Sequence, residues 1–206
     1  MALVLEGLSS GWSEAADRVR PTLVQVLSRG RGAGAGTIWH GRGLIVTNAH
    51  VASCEGLTIR CLDGAEFEAC ALAQDDRLDL AVLSVESDGL PAVELGRSSE
   101  LRNGEMVLAM GHPWGVANAA TLGNVIEVGQ SPGALPGSDG EWIAISLHLR
   151  PGHSGGALID GRGRLVGITT IMAGPDVGLA IPVDVARRFL RAALTGSTFA
   201  RARRAA

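Results

Sequence analysis

The sequence predicts an all-β protein: two small antiparallel barrels with a short N-terminal helix and a C-terminal helix. Three observations lead there. Glycine is abundant, 29 of 206 residues, and shows no period of three, so the excess marks tight turns between many short strands. Short apolar runs rich in Val, Ile and Leu recur along the chain, separated by Gly, Pro, Asp and Ser. The turn-rich stretch 88–103 then divides those runs into two sets, one on each side, as two barrels in one chain require.

Taken in order, residues 1–21 form an N-terminal segment in which Ser13 caps a short helix, Glu14–Val19, closed by Pro21. Residues 22–95 make the first barrel. Thr22–Leu27 is its first strand, and Gly30–Gly36 reads as a flexible, Gly-dense turn. Thr37–His40 and Leu44–Thr47 form a hairpin around Gly41-Arg42-Gly43. Leu57–Leu62 and Glu66–Ala73 flank Asp63-Gly64, a strong hairpin signal. Leu80–Val85 is nearly continuous apolar sequence, as in a buried strand. Residues 96–182 make the second barrel, with strands at Met106–Met110, Thr121–Val128, Trp142–Leu147, Ala157–Ile159, Leu165–Ile171 and Leu179–Ile181. Ser131–Gly140, with three Gly and two Pro, is an exposed loop. Residues 183–206 hold a helix, Val183–Leu194, with Asp184 near its N-terminal dipole, and a basic tail.

Composition removes several classes of function. A hydrophobic content of 46% with a net charge of −3 excludes disorder, and no apolar run is long enough to span a membrane as a helix. Every basic residue is Arg, which excludes Schiff-base, Walker-type and serine–lysine chemistry. Cys54, Cys61 and Cys70 are odd in number and lack zinc or redox spacing, so they read as small buried strand residues. With Glu6 interrupting the apolar start and no Arg before it, no signal peptide is read, and a cytoplasmic location is expected. The last twenty residues carry six Arg and no acid. Without interleaved aromatics, no nucleic-acid partner is expected. There is no H-E-x-x-H, and neither a metal nor a cofactor is expected.

Three segments carry chemistry: Thr47-Asn48-Ala49-His50-Val51, Asp75–Leu83, and Arg150–Ala157 with Gly152-His153-Ser154-Gly155-Gly156. In the second, Asp75 and Asp76 are alternatives to Asp79, which is preferred because the apolar run begins directly after it. A serine hydroxyl is a weak nucleophile at neutral pH. It needs an imidazole to take its proton and a carboxylate to hold that imidazole in one tautomer. It also needs two N–H donors aimed at the developing oxyanion, here those of Gly152 and Ser154. The third segment also fits the G-x-S-x-G elbow of α/β-hydrolases, but that fold places its acid and histidine after the serine. No histidine follows His153. The order His50, Asp79, Ser154 is instead that of the double-barrel serine proteases.

These residues, together with Gly32-Ala33-Gly34-Ala35-Gly36, Gly111-His112-Pro113-Trp114-Gly115 and Gly178-Leu179-Ala180-Ile181-Pro182, resemble the protease domain of the HtrA (Do-like) serine proteases. The resemblance runs from about Asp17 to Leu190. It implies two six-stranded trypsin-like barrels and a serine endopeptidase acting on unfolded or extended protein or peptide segments. Leu149, Val177, Gly178 and Leu179 would line the pocket for the side chain before the scissile bond. His148 would lie at its base or pack against the Ser131–Gly140 loop. Small apolar side chains would fit there. His153 and His112 depart from the family, which has Asn at both places. Trp142–Arg150 lacks the family's polar Gln-Thr-Asp run. No PDZ domain is read after Leu194, so a separate regulatory partner or a homo-oligomer is left open. The alternative function is a catalytically silent or partner-activated peptide-binding protein on the same fold.

Overall fold

The structure is a computed structural model, describing residues 2–130 and 140–195. Most of the Ser131–Gly140 loop and the end of the basic tail lie outside the described residues. A helix α1 (Ala2–Val19) leads through a 3-10 turn at Arg20–Thr22 into the first barrel. That barrel comprises β1 (Leu23–Ser28), β2 (Arg31–His40), β3 (Leu44–Thr47), a one-turn helix α2 (Ala49–Ala52), β4 (Leu57–Arg60), β5 (Glu66–Asp75) and β6 (Leu80–Val85). The second comprises β7 (Met106–Gly111), β8 (Ala119–Gln130), β9 (Glu141–Ser146), β10 (Ala157–Ile159), β11 (Leu165–Gly174) and β12 (Val177–Pro182), and α3 (Val183–Thr195) follows. Each set of six strands closes on itself, in the orders β1-β2-β3-β6-β5-β4 and β10-β11-β12-β9-β8-β7. The predicted pair of antiparallel barrels is therefore the observed architecture.

Strand alternation explains how the barrels are filled and joined. Successive side chains point to opposite faces of a strand. On β1, Val24 and Val26 face the first barrel's interior, whereas Leu23 joins a separate central cluster. On β6, Ala81 and Leu83 point inward, and Leu80 and Val82 join the central cluster. The second barrel does the same on β7, with Val107 and Ala109 inside and Leu108 and Met110 in the central layer. The core is thus two barrel interiors with an apolar layer between them. Leu80, Leu83, Leu158 and Ile159 are among its fully buried side chains, each stabilising by roughly 1.5–3 kcal/mol relative to exposure.

Both helices seal that central layer. On α1, Trp12, Ala15, Ala16 and Val19 have the i, i+3, i+4, i+7 spacing of one helical face and pack into the cluster. This face overrides the expected helix start at Glu14. Ser13 lies mid-helix, its hydroxyl donating back to the Ser9 carbonyl at 3.1 Å instead of capping. On α3, Val183, Ala186 and Leu190 do the same work. Asp184 in its first turn accepts hydrogen bonds from the Ser98 hydroxyl at 2.8 Å and the Ser99 N–H at 3.1 Å. The connector is thereby fastened to the C-terminal helix.

Two expectations fail for identifiable reasons. Gly30–Gly36 is not a flexible turn: only Arg29 and Gly30 turn, and Gly32–Gly36 runs within β2. Small residues are needed because neighbours crowd the strand. A Cβ on Gly36 would stand 2.8 Å from the Ile45 side chain, and one on Gly34 2.7 Å from that of Val51. The cysteines are not buried strand residues either. All three are unpaired, Cys54 and Cys70 exposed and Cys61 half-buried.

Candidate active site

His50, Asp79 and Ser154 come from three different parts of the chain, and the fold links them through contacts of Asp79 and Thr170. His50 lies on α2, directly after β3 ends at Thr47. Asp79 precedes β6, with a backbone φ of +51°, a left-handed conformation that Asp tolerates better than most residues. The Asn48 side chain donates to the Asp79 carbonyl at 3.0 Å. The carboxylate meets the His50 N–H at 3.1 Å and the imidazole Nδ1 at 2.9 and 3.0 Å. Nδ1 is therefore the nitrogen that donates to the carboxylate, and Nε2 is left free of that bond.

A residue that the sequence reading did not single out completes the constellation. The Thr170 hydroxyl donates to Asp79 Oδ2 at 2.5 Å, and the Thr170 carbonyl accepts from the Ser154 hydroxyl at 2.9 Å. The signal for it was the polar pair Thr169-Thr170 inside an otherwise apolar strand, since a buried hydroxyl must find a partner. Burial pushes the Asp79 carboxyl up, but the hydrogen bonds from His50 and Thr170 and the neighbouring imidazole outweigh it, holding it below its ordinary value.

The Ser154 loop is built by close approach to both barrels. Gly155 has a φ of +82°, and a Cβ there would lie 2.1 Å from the Ala35 carbonyl oxygen. The Ala35 N–H donates to the Ser154 carbonyl at 2.8 Å, and the Thr169 hydroxyl donates to the His153 carbonyl at 2.6 Å. At Gly152 φ is +103°, and a Cβ would stand 2.2 Å from the His112 carbonyl oxygen. The Pro151 and Gly152 carbonyls accept from the Trp114 and His112 N–H groups. Among the described residues, no hydrogen bond occupies the Gly152 or Ser154 N–H.

Two buried imidazoles flank this loop. His153 is fully buried, its Nδ1 3.1 Å from both the N–H and the carbonyl of Arg150. Burial, assisted by Arg150, lowers its pKa despite the Arg150 backbone hydrogen bond. His112 accepts the Asn118 N–H at Nδ1 over 3.3 Å. Burial, reinforced by His153 and only partly opposed by the Val24 backbone, lowers its pKa to about 4. Both rings are neutral at pH 7, and both Nε2 atoms lack a hydrogen-bond partner.

Of the residues implied for the side-chain pocket, Leu149, Gly178 and Leu179 are buried, Leu149 in the second barrel's interior and Leu179 in the central layer, and Val177 begins β12 half-buried. Leu149 packs directly on Gly178, where a Cβ would lie 2.9 Å from its Cγ. His148 stands apart, its side chain 56% exposed beside Asp176 at 3.3 Å. It lies outside the Leu149–Gly178 packing.

A pair of closed barrels with a His–Asp pair and a glycine-cradled serine defines a class, and comparison places the chain in it. The chain belongs to the trypsin-like peptidase domain family, whose model matches residues 34–168. Its relatives there are of the HtrA type. Serine protease HTRA4 of Homo sapiens is 35% identical over 189 residues, 84% of this chain and 40% of the relative. Serine protease HTRA1 of Xenopus laevis is 36% identical over 163 residues, 77% of this chain and 35% of the relative. The chain thus spans less than half the length of these relatives. Among solved structures, the HtrA-type protease AlgW with tripeptide superposes with a TM-score of 0.83 at 31% identity, over 89% of this chain and 64% of that one. AlgW with decapeptide gives 0.83 at 27% identity, over 89% and 67%.

Proposed function

We propose that the chain is a serine endopeptidase acting on extended or unfolded segments of protein. The observation that carries this is the linked set of contacts His50–Asp79–Thr170–Ser154, which joins base, acid and nucleophile across both barrels. In the first step the Ser154 hydroxyl leaves the Thr170 carbonyl by a side-chain rotation and gives its proton to His50 Nε2 as its oxygen attacks the scissile carbonyl. Asp79 holds the Nδ1 proton and stabilises the imidazolium. The Gly152 and Ser154 N–H groups receive the oxyanion. His50 then protonates the leaving amine, and water, activated by the same ring, releases the acyl group. The AlgW structures were solved with a decapeptide and a tripeptide, which supports a peptide ligand for this chain. Leu149 against Gly178 favours a small apolar residue before the scissile bond, so profiling should find Val, Ala, Leu or Ile there. An Arg or Lys preference would refute that part.

Labelling of the purified chain by a fluorophosphonate tests the reading. Wild type should label, and Ser154→Ala should not. Absence of Ser154-dependent labelling across pH and substrates would leave a catalytically silent peptide-binding protein.

A further inference from the structure

Among the described residues, the three most exposed large hydrophobic side chains are Trp114 at 72%, Val116 at 59% and Leu62 at 51%, and Trp114 and Leu62 each wall a hollow. Between them runs a double hollow. Its first part, about 350 Å³, lies between the β2 backbone at Gly32–Gly34 and the loop bearing Trp114 and Gly115, and it reaches Gly152. Its second part, about 230 Å³, continues past Leu62 and Asn118. The two share Gln25, His112 and Gly115 as walls, so they adjoin. No acidic or basic side chain other than the imidazole of His112 lines the first part.

Trp114 is held in place and is not merely exposed. Its backbone is left-handed, at φ +50°, and its N–H donates to the Pro151 carbonyl at 3.1 Å. The Arg150 guanidinium stacks over the indole, 5.4 Å from the ring centroid, a cation–π contact that fixes the ring plane. Arg150 and Pro151 immediately precede the Gly152 donor, so the indole is braced against the loop that carries the oxyanion site.

The side-chain pocket of Leu149, Gly178 and Leu179 shares no wall with this hollow. A peptide threaded through the Gly152–Ser154 site with its acyl half on that pocket must leave on the opposite side, over Gly34 and Trp114. Building on the peptidase reading, we propose that the hollow is the leaving-group channel, and that Trp114, braced by Arg150, selects a bulky apolar side chain at one of the two residues after the scissile bond. Burying such a side chain on the indole removes apolar surface of both from water, enough for about tenfold in kcat/KM.

The test uses the full chain and internally quenched peptides sharing one acyl half. Phe, Leu, Ser, Asp or Lys is placed in turn at the first and second residues after the bond. Wild type should prefer Phe or Leu over Ser and Asp by about tenfold at one of the two positions. The Phe-to-Ser ratio within each variant cancels any general loss of activity. It should fall to within about twofold in Trp114→Ala, be retained in Trp114→Phe, and shrink in Arg150→Gln through KM. A flat wild-type profile, or a ratio that survives Trp114→Ala, would overturn the channel while Ser154-dependent fluorophosphonate labelling still stood. Loss of that labelling would overturn the peptidase reading, and the channel with it.

Discussion

Thr170 grips Asp79 through its hydroxyl at 2.5 Å and, through its carbonyl, holds the Ser154 hydroxyl at 2.9 Å. One strand residue of the second barrel thus touches both the proposed acid from the first barrel and the proposed nucleophile of its own. It is the hinge between base-orienting and attacking groups, and its two contacts separate cleanly by mutation.

Thr170→Val keeps the shape and removes the hydroxyl. Asp79 loses a charge-assisted hydrogen bond, and kcat/KM should fall about tenfold or more. The carboxyl, now held down by His50 alone, should move up toward its ordinary value, so the acid limb of the pH–rate profile should shift upward. Thr170→Ser should restore both. A loss of rate with the acid limb unmoved would show that Thr170 serves packing alone.

Gly34→Ala should disturb the nucleophile from a distance. The new Cβ would stand 2.7 Å from a Val51 methyl and 2.9 Å from the Ser154 carbonyl oxygen. We expect destabilisation of roughly 1–3 kcal/mol and slower fluorophosphonate labelling. Gly32→Ala, whose Cβ would meet only the Gln25 side chain at 3.5 Å, should leave thermal stability nearly unchanged. Equal melting shifts in the two variants would contradict this account.

Stability should depend on pH through His112. Its folded pKa, about 4, lies below the ordinary value of 6.5, so the unfolded chain binds its proton first. The stabilisation is complete above pH 6.5 and is lost as pH falls from 6.5 toward 4, by about 3 kcal/mol. His153, lowered in the same direction, adds to the loss. The depressed Asp79 carboxyl contributes stability that disappears only lower still, through its own folded pKa. Denaturant unfolding between pH 7 and 4 should show the decline, and His112→Asn should flatten it. An unchanged slope in that variant would assign the effect elsewhere.

Much of this was legible in the sequence because barrels advertise themselves. Leu80–Val85 and Ala157–Ile159 were read to the residue, since apolar runs bounded by turn residues leave few alternatives. His50, Asp79 and Ser154 were legible as candidates from residue type and chain order, and in the fold His50 bonds Asp79 while Thr170 connects Asp79 to Ser154. The Gly32–Gly36 stretch was not legible as strand, because glycine's turn propensity is local while the crowding by Val51, Ile45 and Ser154 is tertiary. The length of α1 was missed because Ser13 reads as an N-cap until Trp12 finds its place in the central layer. Thr170 and the Arg150–Trp114 stack depend on contacts between distant segments, which spacing alone does not reveal.

The Ala35 N–H and the Ser154 carbonyl, bonded at 2.8 Å, come from the first and second barrels, far apart in the chain. Synthesis delivers the first barrel, with its histidine and acid, well before the serine loop, and domains fold as they emerge. Until the second half arrives and docks, the nascent polypeptide holds only part of the proposed site. On that reading, competence switches on only with the last act of assembly.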